Sequence, residues 1–121
     1  MINILLPLML LGPSQEMTAS WYGGQDFHGN VTASGDTFDM HEMSCASPDL
    51  AFGTVLLLAD DGAAVAVTVT DRGPYATDST GAAIWPLEPH PTRDLDVSFG
   101  AMKMLGGVMA GTVDATVWRL R

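Results

Sequence analysis

Residues 65–75 read VAVTVTDRGPY, and the rest of the chain converges on them. Val65, Val67 and Val69 alternate with Ala66, Thr68 and Thr70, a period of two that predicts a half-buried β-strand. The run stops at Asp71-Arg72-Gly73-Pro74. Gly73 tolerates backbone angles that other residues resist, and Pro74 has no N–H and a fixed φ, so the strand breaks there. Asp71 is thereby mounted on the end of a rigid strand, a firmer seat for a catalytic group than a loop. Most Asp-Gly-Pro clusters are turns, so on these residues alone Asp71 reads first as a turn cap or a partner of Arg72.

Just before this stretch, Val55 to Ala59 (VLLLA) forms a strand after Phe52-Gly53-Thr54, and Asp60-Asp61-Gly62 is a turn. Residues 54–70 therefore read as a β-hairpin. Upstream, Thr18 to Tyr22 (TASWY) is a short strand, with Trp21 and Tyr22 on opposite faces. Gln25 to Gly35 reads as loop, with Val31-Thr32-Ala33 pairing briefly. Asp36 and Asp39 flank Phe38 at a spacing that suits two acids on one side of a turn. Met40 to Pro48 is expected to form a single helical turn. Downstream, Ala76 to Thr92 carries Pro86, Pro89 and Pro91 and reads as a long irregular loop. Arg93 to Val97 returns to strand. Ser98 is a good N-cap for a helix over Phe99 to Leu105, ended by Gly106-Gly107. Thr112 to Leu120 closes the chain as a strand with Val113, Ala115 and Val117 on one face. About six short strands and one short helix in a chain this small suggest a closed or nearly closed barrel.

The 121 residues fit one domain, with 47% apolar and 16% charged residues, so a core can form without staples. Fourteen acidic residues against 5 basic ones give a net charge of −9, which repels nucleic acid and anionic membrane surfaces. An uncharged polymer or a basic partner fits better. Cys45, the only cysteine, has no metal-ligand spacing and reads as a small buried residue, so neither metal nor cofactor is expected. Met1 to Leu11 (MINILLPLMLL) is too short to span a bilayer. It lacks a basic lead and a small-x-small cleavage site, so a docking arm is preferred to an export signal. The organisation expected is an arm over 1–17 and a barrel over 18–121 with an inserted loop at 76–92.

Seven fragments occur in order: Ala19-Ser20-Trp21-Tyr22-Gly23, Phe27-His28-Gly29, Thr32-Ala33-Ser34-Gly35, Phe38-Asp39-Met40, Phe52-Gly53-Thr54, Asp71-Arg72-Gly73-Pro74-Tyr75 and Asp94-Leu95-Asp96-Val97-Ser98. Together they resemble the double-psi β-barrel domain of the rare lipoprotein A family, a relative of the expansin and barwin barrels. The resemblance runs from about Thr18 to Leu120. It implies a mainly β fold, a six-stranded double-psi barrel with one or two short helices, and a groove for polysaccharide.

Active family members are lytic transglycosylases that cut peptidoglycan between N-acetylmuramic acid and N-acetylglucosamine, preferring glycan stripped of peptides. The family's carboxylates map onto Asp71, Asp39 and Asp36, the last where the family usually has Glu. Asp71 is the candidate acid, and to donate a proton near neutrality it needs burial or a second carboxylate nearby. Candidate substrate-binding residues are Tyr22, His28, Ser47, Arg72, Tyr75 and Trp85. On the residues alone, His28 reads as a loop residue, His41 as exposed, and Trp85 as an anchor tucking its loop onto the barrel.

One departure stands out. Cys45-Ala46-Ser47 replaces the family's Ala-Ala-His, so a hydroxyl that cannot titrate near pH 7 stands where an imidazole is expected. Three functions follow: a transglycosylase of the cell envelope or periplasm, a catalytically silent peptidoglycan-binding module, or an assembly subunit. The last is exemplified by a phage tail protein, with Met1–Leu11 engaging a protein partner in the virion or in an envelope complex.

Overall fold

The computed structural model describes residues 12–121. The elements are β1 (Gln15–Trp21), α1 (Gly24–Phe27), β2 (Ser44–Ala46), β3 (Val55–Asp60), β4 (Ala63–Asp71), β5 (Leu95–Val97), α2 (Phe99–Leu105) and β6 (Thr112–Arg119). The strands close into a barrel in the order β1-β5-β2-β4-β3-β6. Two pairings are parallel, β1 with β5 and β2 with β4, and the other four are antiparallel. Closure leaves no free sheet edge to cap. Among the described residues no helix is long and apolar enough to cross a membrane.

The core follows from the period-two pattern. Val65, Val67 and Val69 of β4, Leu56 and Leu58 of β3, and Val113, Ala115 and Val117 of β6 all point inward and are buried. The β3–β4 hairpin pairs Asp60 with Ala63, so its turn is the two residues Asp61-Gly62, both with positive φ, 46° and 83°. That backbone matches the right-handed twist of the flanking strands. Helix α2 covers one end of the barrel with Ala101, Met102 and Leu105. Ser98 caps it by accepting from the Ala101 N–H at 3.2 Å. At its other end the left-handed Gly106 donates to the Met102 and Lys103 carbonyls.

Two expectations are corrected. The helical turn over Met40 to Pro48 is replaced by β2, whose Ser44, Cys45 and Ala46 are all buried. Small side chains let this short strand fit between β4 and β5, and tertiary pairing on both sides overrides local preference. The stretch Gln25 to Gly35 is not all loop, because α1 begins it. Residues 76–92 hold no helix or strand, and isolated bridges order this loop: Tyr75 bridges Pro89 and Thr77 bridges Ala83. The Ala76 N–H donates to the Glu88 carbonyl at 2.9 Å, and that of His90 to the Pro74 carbonyl at 3.0 Å.

Candidate active site

Strand β4 carries Asp71 to the rim of the barrel, where its side chain is half-buried. Three donors hold it. Oδ1 accepts from the backbone N–H groups of Arg72 at 2.9 Å and Ala33 at 3.0 Å. Oδ2 accepts from the Tyr22 hydroxyl at 3.1 Å. Arg72 does not form an ion pair with it. That guanidinium donates to the Leu50 carbonyl at 2.8 Å and the Ser47 carbonyl at 3.2 Å, and lies 3.9 Å over the Phe52 ring. Arg72 therefore pins the 47–52 turn to the end of β4.

Tyr22 follows β1 directly and reaches Asp71 because of its neighbours. Its ring packs on Phe38 at 5.2 Å between centroids. Gly23 turns the chain with φ of 83°, and a Cβ there would stand 2.7 Å from the Phe38 ring. Burial raises the pKa of the Tyr22 phenol well above its ordinary value, the charge of Asp71 and its hydrogen bond raise it further, and Asp96 adds to the effect. The phenol thus keeps its proton, with Asp71 as its hydrogen-bond partner.

Asp36 sits on a tight turn docked against the same strand end. The Thr32 N–H donates to the Asp36 carbonyl at 2.8 Å, and the Ser34 N–H donates to the Thr70 carbonyl at 3.1 Å. The Asp36 carboxylate accepts from the Ser34 hydroxyl at 3.2 Å and is exposed. Asp39 lies past the buried Phe38 and serves a different turn, accepting from the His41 N–H at 2.8 Å. Of the three acids the structure therefore brings the turn of Asp36 to Asp71 and ties Asp39 elsewhere.

His28 Nδ1 is 3.8 Å from Asp39 but 3.2 Å from the Met40 N–H, from which it accepts. An accepting nitrogen carries no proton to share, so the hydrogen bond defines this contact and the ion pair does not. His28 is a half-exposed loop residue whose ring lies 6.1 Å from that of His41.

The hydroxyl of Ser47 is buried and used locally, accepting from the Leu50 N–H at 3.1 Å. Tyr75 is half-buried at the root of the 76–92 excursion. Trp85 is 77% exposed, with Ile84 and Leu87 also exposed beside it. The expected anchor role is therefore corrected: the loop is held by its backbone bridges, which frees the indole. Cys45 is buried as expected, and burial pushes its thiol up to about 12.

One carboxylate went unassigned from the sequence. Asp96 pairs in register with Ser20 on one side and with Ala46 on the other, and Ala46 pairs with Asp71. Asp96 thus stands one small residue across the sheet from Asp71. It accepts from the Ser20 hydroxyl and from Arg93 at 3.1 Å, and Arg93 also donates to Ser20 at 2.7 Å. The signal was available, since Leu95 and Val97 alternate with it and point inward. Among the described residues no cluster of three His, Cys, Asp or Glu could hold a metal ion.

A family model described as lytic transglycolase matches residues 14–117. The chain is similar to the probable endolytic peptidoglycan transglycosylase RlpA of Aquifex aeolicus, 41% identical over 97 residues, covering 78% of this chain and 36% of that protein. It is 37% identical over 102 residues to the endolytic peptidoglycan transglycosylase RlpA of Pseudomonas aeruginosa, covering 83% of this chain and 26% of that one. The Vibrio cholerae protein of the same name is 32% identical over 108 residues, with coverage of 88% and 35%. The chain therefore spans about a third of the length of these curated relatives. Among solved structures it is similar to the Streptomyces papain inhibitor, with TM-score 0.60 and 20% identity over 89% of this chain and 94% of that one. That likeness supports the barrel alone.

Proposed function

Given that this chain belongs to the lytic transglycolase family, we propose that it cleaves peptidoglycan glycan strands between N-acetylmuramic acid and N-acetylglucosamine, with Asp71 as acid and then base. The observation that carries this is Asp71 itself, half-buried at the strand end and gripped on both oxygens.

The chemistry needs only one such group. The Asp71 carboxyl gives its proton to the glycosidic oxygen as the bond from that oxygen to the muramic anomeric carbon breaks. The carboxylate left behind takes the proton of the same sugar's primary hydroxyl as that oxygen bonds to the anomeric carbon, closing an anhydro ring. The proton is returned and no water is consumed, in contrast to the two-carboxylate hydrolases.

Asp36, on the turn docked beside Asp71, supplies the second charge. Asp39, on the turn beyond Phe38, and His28 beside it bind sugar hydroxyls. The free indole of Trp85 and the ring of Tyr75 offer faces on which sugar rings stack. Arg72 and Ser47 shape the wall between them through the 47–52 turn. The site of action is the cell envelope, where the substrate is. A protein partner and a phage-tail setting rest on Met1–Leu11, which lie outside the described residues.

A second reading is favoured by Ser47. With its hydroxyl buried in the turn, nothing at that position replaces the family's imidazole, which suits a module that holds glycan without cutting it. Digestion of purified, peptide-free glycan separates the two. Anhydro-muramyl ends that disappear in Asp71→Asn support the enzyme. Pull-down of glycan without soluble fragments at any loading supports the binding module.

A further inference from the structure

We propose that Tyr22 is a positioning residue for Asp71, its hydroxyl selecting Oδ2 as the oxygen that gives and takes the proton. This rests on the transglycosylase reading above.

Oδ1 of Asp71 receives two backbone N–H groups, at 2.9 Å from Arg72 and 3.0 Å from Ala33. Neither can turn away. One belongs to the next residue, and the other to the turn that the Ser34 N–H fastens to the Thr70 carbonyl. A proton on Oδ1 would face two donor hydrogens. Oδ2 has a different neighbour, the Tyr22 hydroxyl at 3.1 Å. A hydroxyl both donates and accepts and rotates to suit. It donates to Oδ2 while the carboxylate is ionised and accepts from Oδ2–H once the proton arrives. Only Oδ2 changes protonation without leaving a neighbouring polar group unsatisfied.

The phenol is kept in place by Phe38, which is buried, and by the close turn at Gly23. The titratable groups facing it are Asp71 from β4, Asp96 from β5 and Cys45 from β2. Burial and these neighbours hold it protonated throughout the range in which carboxyls titrate. The nearby cations are engaged elsewhere, Arg72 on the Ser47 and Leu50 carbonyls and Arg93 on Ser20 and Asp96.

Tyr22→Phe keeps the ring and its packing and deletes the oxygen. Its kcat should fall about ten- to a hundredfold with KM changed by less than about twofold. The alkaline limb of its rate profile should move to higher pH, because the ionised carboxylate has lost a donor. A loss carried by KM, or a profile that stays in place, overturns the proposal and leaves Tyr22 as packing or sugar contact.

A second readout needs no turnover. The Tyr22 ring Cζ resonance in carbon NMR, assigned by its absence in Tyr22→Phe, should move on acid titration of the wild type and stay flat in Asp71→Asn. Equal movement in both overturns the pairing. A wild type that cuts no glycan but whose resonance still follows Asp71 supports the pairing and refutes only the transglycosylase reading.

Discussion

The two ends of this barrel both carry acids, and only one of them is organised around an acid. At the far end, the β3–β4 turn, the C-terminus of α2 and the start of β6 border an open hollow of about 640 Å³, lined by Asp60, Asp61, Lys103 and Asp114. Asp61 and Asp114 there are exposed, and Asp114 accepts from the Thr18 hydroxyl on the outer surface. At the Asp71 end three fixed donors converge on one carboxylate, two of them backbone amides. Carboxylates left exposed around an open hollow are a surface feature, and the difference argues that fixation of one carboxylate marks the site.

Substitution can break that contrast. Asp71→Asn should lower turnover of denuded glycan by about a hundredfold or more, the range for loss of an acid–base group. Asp114→Asn at the far end should leave turnover within about twofold. Steady-state assays on both variants check this, and equal losses would erase the distinction between the ends.

A matched pair of glycines sharpens it further. Gly23 and Gly106 both have positive φ, 83° and 75°, so a side chain strains either backbone. A Cβ added at Gly106 would meet nothing within 4 Å, whereas one at Gly23 would stand 2.7 Å from the Phe38 ring. Gly106→Ala should cost about 1 kcal/mol of stability with kcat unchanged. Gly23→Ala should cost about 2–3 kcal/mol and also reduce kcat, because Phe38 and Tyr22 must shift. Urea denaturation and kinetics on each variant read the two effects separately.

A separate effect is on stability at high pH. Burial raises the Cys45 thiol from 9.0 to about 12, so the folded state resists its ionisation. The contribution is fully present below pH 9.0, the unfolded value, and is lost as pH rises towards about 12. Thermal unfolding of the wild type should fall across that window more steeply than that of Cys45→Ala, and parallel curves would show that the thiol contributes nothing. Below the window Cys45 should also resist thiol reagents until the barrel opens.

What the sequence made legible were the elements with their own local signature. β4 and β6 alternate over many residues, the β3–β4 turn announces itself in Asp61-Gly62, and Ser98 and Gly106 mark both ends of α2. The strand β2 had only three residues, all buried and small, so no period could form and its identity came from its neighbours. The order of residues 76–92 lies in backbone bridges, Tyr75 to Pro89 and Thr77 to Ala83, which side-chain type does not encode.

The site divided in the same way. Asp71 was readable because its strand ends there, but nothing local reveals that Tyr22, forty-nine positions away, donates to it. Asp36 and Asp39 looked equivalent in sequence. The buried Phe38 between them sends one turn to β4 and the other towards His41. Asp96 was used only as a fold marker, and its place across from Asp71 needed the β1–β5–β2–β4 register.

The most direct test of the central claim, that one aspartate cleaves the glycan without water, is mass spectrometry of products formed in heavy-oxygen water. Expected are anhydro-muramyl ends that carry no heavy oxygen, absent when Asp71→Asn replaces the wild type. Reducing ends labelled from solvent, or fragments that persist in Asp71→Asn, would contradict it.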